Sequence, residues 1–219
     1  MTAKQLLTEL EAAGTAQNRK VYQRHGVKPP LYGVSYANLE KLRKRIKCDH
    51  VLARALWASG NHDARVLATK IADPKQADRT LLEGWAGALD NYVLTDAFAQ
   101  LAAASEAGQE LAEAWIDSAD EWTSVAGWTI VAIGPKAFQD GFSALIARIE
   151  TAIHDVPNRT RHSMNNALIA IGLLGEPWTE AAIVAAERIG KVQVDHGATN
   201  CKTPDAVAYI RKSLRRKGC

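Results

Sequence analysis

Apolar residues recur at three- and four-residue intervals along almost the whole chain, as in Leu39, Leu42 and Ile46, or Val66, Leu67 and Ile71. That is the period of a helix burying one face. Strict alternation, the mark of a half-buried strand, is scarce, so the chain reads as all-α. The pattern predicts helices near residues 4–13, 17–25, 35–47, 50–58, 61–72, 75–86, 90–103, 106–118, 121–133, 137–152, 158–172, 177–189 and 203–216. The breaks between them carry turn chemistry: Lys28-Pro29-Pro30, Ser59-Gly60-Asn61, Asp73-Pro74, Gly134-Pro135, Val156-Pro157-Asn158 and Glu176-Pro177. Loops this short force neighbouring helices to run antiparallel.

Paired helices of roughly 10–16 residues, repeating roughly every 30–40 residues, mark a HEAT-like α-solenoid. An irregular helical bundle would show the same periodicity, and no consensus repeat can be written from the chain. With 219 residues, a single domain spanning 1–219 is expected. No apolar run approaches the ~20 residues that cross a bilayer, and Met1-Thr2-Ala3-Lys4-Gln5 lacks the apolar core of a secretory signal. A cytoplasmic protein is expected. Cys48, Cys201 and Cys219 are odd in number and far apart, which fits free thiols in a reducing compartment. Cys201 lies near Asp195 and His196, but structural zinc takes four ligands at tighter spacing, so no metal is expected.

Net charge is only +3, yet it is unevenly spread. Residues 1–50 hold 10 Lys and Arg against 4 Asp and Glu, residues 51–150 hold 7 against 14, and residues 151–219 hold 10 against 6. A polyanion would be gripped by the two ends, leaving a central carboxylate to act on something positive. Solvated helix faces scattered around the molecule would give the same count.

The most informative central stretch is Asp90-Asn91-Tyr92-Val93-Leu94-Thr95-Asp96-Ala97-Phe98. Tyr92 and Asp96 stand at i and i+4, on one face of a helix. A ring beside a carboxylate can hold a cation through its π face and the negative charge. The same residues also describe an ordinary helix start, with Asp90 capping, Tyr92 packing and Asp96 facing water.

Two later segments carry candidate chemistry. With Asn158 as an N-cap, Arg161 and Asn165 share a face, as do His162 and Asn166, forming a polar stripe on an otherwise apolar helix. Mid-helix asparagines carry a propensity cost that partners must offset. Those partners are either phosphates and groove edges of a nucleic acid or groups inside a buried network. In the following loop Thr203 and Pro204 suit the N-cap and first position of the last helix. That helix start, with Lys191 and Lys202, suits a phosphate, while Asp195 and His196 suit closure of the chain end. Basic runs at Lys41, Arg43, Lys44, Arg45 and Lys47, and at Arg211, Lys212, Arg215, Arg216 and Lys217, suit sequence-independent phosphate contacts or a solvated face. Within them Lys41, Lys44 and Arg45, and Arg211 and Arg215, share faces.

Together, Tyr92-x-x-x-Asp96, His62-Asp63-Ala64-Arg65-Val66-Leu67-Ala68, Tyr32-Gly33-Val34 with Leu39-x-x-Leu42-Arg43, and Asn158-Arg159-Thr160-Arg161-His162-Ser163-Met164-Asn165-Asn166 resemble the AlkD-like DNA alkylation repair family. The resemblance runs from about Gln17 to about Leu214. The loop from Lys191 to Asp205 resembles one found in a poorly characterised branch of that family. The resemblance implies a HEAT-like α-α superhelix whose concave face holds double-stranded DNA. It implies excision of cationic N3- or N7-alkylpurines without base flipping, by a monomer needing no metal or organic cofactor. Asp96 would then be catalytic, with Tyr92, Trp122, Arg161, Asn165 and Asn166 binding substrate. Lys41, Lys44, Arg45, Lys191, Lys202, Arg211 and Arg215 would hold the DNA backbone. Tyr92 stands where the family carries Trp, a second family Trp falls near Ala167, and a family Arg falls near Val125; Trp122 and Trp128 are the candidate replacement rings. Two rival readings stand beside the enzyme: a non-enzymatic binder of damaged or branched DNA, and a HEAT-like protein-interaction scaffold.

Overall fold

The computed structural model describes residues 1–217; Cys219 and the side chain of Lys217 lie outside the described residues. The described residues form thirteen α-helices and one 3-10 helix, with an isolated bridge between Gly14 and Val34 and no strand. They gather into two compact units, residues 1–107 with 197–199, and residues 108–196 with the chain from Asn200 on. Among the described residues, no helix is long and apolar enough to cross a membrane.

The first unit contains α1 (Ala3–Ala13), α2 (Ala16–Arg24), α3 (Tyr36–Ile46), α4 (His50–Ala58), α5 (His62–Ile71), α6 (Arg79–Ala86) and α7 (Tyr92–Ala103). Each starts on a Thr, Ser, Asp or Asn whose side chain accepts a backbone N–H from the first turn: Thr2, Thr15, Ser35, Asp49, Asn61, Asp78 and Asn91. Such a cap contributes about 1 kcal/mol, so the chain fixes its own helix starts locally. Helix α5 is the hub, packing on α3, α4 and α7 and burying all but Arg65 and Lys70 of its residues. Beside it, the Trp57 and Trp85 rings stack 4.1 Å apart with planes 2° from parallel. The Arg65 guanidinium sits 5.2 Å over Trp57 and donates to the carbonyls of Trp57 and Ala88.

The second unit contains α8 (Gly108–Trp115), α9 (Glu121–Ile133), a 3-10 helix (Pro135–Gly141), α10 (Phe142–Ala152), α11 (Asn158–Gly172), α12 (Trp178–Ile189) and α13 (Ala206–Lys217). Helix α11 is the hub here, packing on α9, α12 and α13. Gly127 lets α9 approach the end of α8, where a Cβ would come within 2.7 Å of the Ile116 nitrogen. Trp128 is a core residue, 1% exposed.

Several expected boundaries shift, each for a local reason. The helix expected from residue 75 begins at Arg79, because Asp73 captures the Lys75 N–H and the Gln76 side chain in a turn and Asp78 supplies the cap. The stretch after Pro135 is a 3-10 turn before α10 starts at Phe142. Asn91, not Asp90, caps α7; Asp90 accepts from the Asn91 amide instead. Asn158 is the first residue of α11 and not its cap, a position held by Pro157. Thr203 does not cap the last helix: the Asp205 carboxylate accepts from the Ala208 N–H and α13 begins at Ala206.

Candidate functional site

Helix α7 separates two faces. Leu94, Thr95, Phe98, Ala99, Leu101 and Ala102 enter the core. Tyr92, Asp96 and Gln100, at i, i+4 and i+8, line a cavity of about 560 Å³ within the first unit. Asp96 is exposed and Tyr92 half-buried. The remaining walls come from elsewhere: Tyr22 and Val21 on α2, His25 just after it, Tyr36 at the first position of α3, and Lys70 near the end of α5.

Each aromatic wall is held by an identifiable contact. The Tyr22 hydroxyl donates to the Val34 carbonyl at 2.5 Å, and burial, reinforced by the charge of Asp63, pushes its pKa up to about 12. The Tyr22 ring meets Tyr36 edge-on at 6.0 Å and His62 at 5.9 Å. His62 is buried, and desolvation lowers its pKa, keeping it neutral behind the cavity. The Tyr92 hydroxyl hydrogen-bonds His25 Nδ1, with the rings tilted 5.9 Å apart. Tyr36 is 47% exposed, yet its pKa is raised, by desolvation first and then by Tyr22, Asp96, Asp63 and Tyr92. Four rings, Tyr22, His25, Tyr36 and Tyr92, thus line one cavity with one carboxylate, Asp96. Such a cavity suits a group that carries or develops positive charge.

The family model for DNA alkylation repair enzymes matches residues 6–210 of the chain. The chain belongs to the DNA alkylation repair family. It is 32% identical over 222 residues to the uncharacterized protein Lin0241 of Listeria innocua, covering 99% of each chain. It is 31% identical over 222 residues to the uncharacterized protein Lmo0209 of Listeria monocytogenes, again covering 99% of each. It also matches, at a TM-score of 0.89 and 32% identity, a solved structure from a new family of proteins related to the HEAT-like repeat DNA glycosylases with affinity for branched DNA structures. That match covers 99% of this chain and 95% of the other. The fold is accordingly the all-helical HEAT-like repeat fold.

Two of the family stretches turn out to be one device. The fully buried Asp63 carboxylate accepts the backbone N–H groups of Tyr32, Gly33 and Val34 at 2.7, 3.0 and 2.8 Å. This locks the chain just before α3 onto the start of α5. Gly33 is required there: its φ is +78°, and a Cβ would come within 2.7 Å of the Thr15 carbonyl oxygen. The clamp positions Tyr36, three residues further on, in the cavity.

The polar stripe on α11 belongs to the second unit and is spent on the following loop. The Asn158 amide both donates to the Asp195 carbonyl and accepts the Asp195 N–H, at 2.8 Å each. Arg161 donates to the carbonyls of Val156 and Gln193, and Asn165, 2% exposed, to that of Pro204 at 3.0 Å. His162 Nδ1 and His196 Nε2 both meet the Thr203 hydroxyl at 3.0 Å, which is why Thr203 is not available as a cap. Burial, with Arg159 and His196 nearby, drives the His162 pKa down to about 4. Of the substrate-binding residues expected on α11, Arg161 and Asn165 therefore serve a loop-packing network. Asn166 is half-buried.

Trp122 is half-buried on the first turn of α9 in the second unit. Val125 and Ala167, near which the resemblance places an Arg and a second Trp, are 2% and 0% exposed and serve the core. Of the basic residues, Lys41, Lys44, Lys191 and Lys202 are exposed. Arg45 pairs with Glu9 at 2.6 Å and Arg211 with Glu187 at 2.9 Å, while Arg215 donates to the Arg211 carbonyl. Residue order alone does not connect His25, Tyr36 and Lys70 to the site. One signal was available for Tyr36, which shares a helical face with Glu40 and Arg43.

Proposed function

We propose that this protein binds double-stranded DNA and hydrolyses the N-glycosidic bond of cationic alkylpurines, with Asp96 as the catalytic carboxylate. The observation that carries this reading is an exposed carboxylate among four aromatic rings, Tyr22, His25, Tyr36 and Tyr92, in one cavity. An alkylated purine with a fixed positive charge needs no protonation to leave. Its bond to C1′ breaks, the electron pair passes to the departing base, and the base leaves neutral. The deoxyribose becomes an oxocarbenium ion; a water oxygen adds to C1′ and its proton passes to solvent. A preorganised negative charge beside C1′ favours that cation over the ground state. The Tyr36 and Tyr92 rings add cation–π attraction.

The test is release of 7-methylguanine from methylated duplex DNA. Asp96→Asn is expected to slow release by roughly 10²–10³-fold, the loss typical of one electrostatic stabiliser. An unchanged rate overturns the assignment.

A second reading takes up the affinity for branched DNA described for the structural relative at a TM-score of 0.89. On this reading the scaffold binds branched or damaged DNA without cleaving a base. The wild-type protein separates the two, since only the first releases base.

A further inference from the structure

We infer that a basic groove beside the Asp96 cavity binds the phosphodiester backbone of the strand whose sugar lies at Asp96. The inference rests on the DNA-binding part of the reading above and not on its chemistry. The groove, of about 580 Å³, is lined by Arg43 and Lys47 on α3 and just beyond it, by Lys70 on α5, and by Ala97, Gln100 and Ala104 on α7 and just beyond it. Lys70, Ala97 and Gln100 also line the Asp96 cavity, so the two depressions are continuous.

Helix periodicity explains the continuity. On α3, Tyr36, Glu40 and Arg43 follow one another at i, i+4 and i+7, with Lys47 the residue just past its end; on α7, Tyr92, Asp96 and Gln100 do so at i, i+4 and i+8, with Ala104 just past its end. In each series the first residue lines the cavity and the last lines the groove. Rings and a carboxylate stand at one end, and cations stand near the C-terminal ends of α3 and α5, where the helix dipole favours them. A nucleotide presents the matching sequence: base and sugar at one end, phosphate at the other. The small Ala97 and Ala104 leave the floor open to a backbone.

One carboxylate opposes this use. Glu40 accepts from Arg43 Nε at 2.9 Å and from Nη2 at 2.8 Å, and Arg43 holds its carboxyl below the usual range. Glu40 thus occupies the guanidinium edge that a phosphate would take. Removing its charge frees Arg43 for the DNA.

The experiment is a salt series of anisotropy titrations with a fluorescein-labelled duplex carrying one 7-methylguanine. Each phosphate contact contributes about 0.9 to the slope of log affinity against log salt. Lys70→Ala is expected to lower the slope by about 0.9 and Glu40→Gln to raise it by about 0.9. An unchanged slope in either variant overturns the groove. Cys48, exposed on the groove wall, gives an independent readout in a Cys201→Ser, Cys219→Ser background. Its labelling by a maleimide should slow at saturating duplex, and an equal rate with and without DNA overturns the proposal. Altered slopes without base release overturn the catalytic reading alone. Unchanged slopes with base release overturn the groove alone, and no binding at low salt overturns both.

Discussion

Helices α7 and α11 both carry polar side chains at four-residue spacing on one face, and they put them to opposite uses. On α7, Tyr92, Asp96 and Gln100 line a cavity. On α11, Asn158, Arg161, His162 and Asn165 are consumed by the loop leading to α13, mostly through its main-chain atoms. The difference lies in what covers each stripe. A polar stripe covered by its own chain contributes stability, whereas one left at a cavity is available for chemistry.

The strongest way to break this contrast is to remove the most buried member of the covered stripe. Asn165→Ala leaves the Pro204 carbonyl without its amide donor, and an unsatisfied buried group costs about 1–3 kcal/mol. Asp96→Asn, at an exposed position, should change stability by no more than about 0.5 kcal/mol. Urea unfolding of both variants measures this directly. Equal losses would mean that Asp96 is as structural as Asn165, and the contrast would be gone.

Acid should loosen the covered stripe by a smaller amount. The folded-state pKa of His162 is depressed from 6.5 to about 4, and that of His196 is also lowered. Between those values the unfolded chain binds more protons than the folded one, so stability is full above pH 6.5 and falls as pH drops toward about 4. Partial exposure of His162 discounts the effect. His62 in the first unit shifts in the same direction, so the measurement compares thermal melts of the wild type with His162→Gln over this window. If the variant loses as much stability on acidification as the wild type, His162 is not responsible.

The contrast also explains what sequence reasoning could reach. The 3.6-residue period gave the all-helical character and nearly all the helices, because burial of one face is written in residue order. The Tyr92 and Asp96 pair was readable for the same reason, being local. The cavity was not, since His25, Tyr36 and Lys70 arrive from three other places in the chain. Nor was the fate of the α11 stripe, because four of its acceptors are the carbonyls of Val156, Gln193, Asp195 and Pro204, which look alike in any sequence. Asp63 shows the converse. It was readable as part of a family stretch, while its three partners are N–H groups with no residue signature.

The finest distinction concerns Tyr92 itself, where the family resemblance leads one to expect Trp. The hydroxyl has a partner, His25, so the phenol ring is tethered at its far end and not merely a smaller indole. Tyr92→Phe keeps the ring and loses the tether, which should cost about 1 kcal/mol in positioning, a loss in base release of less than tenfold. His25→Ala should cost a similar amount. Because both variants remove the same hydrogen bond, the double variant should lose little more than either alone. Fully additive losses in that cycle would show that His25 and the Tyr92 hydroxyl act separately. The ring would then be held by packing alone, and nothing in the cavity would account for a phenol at this position.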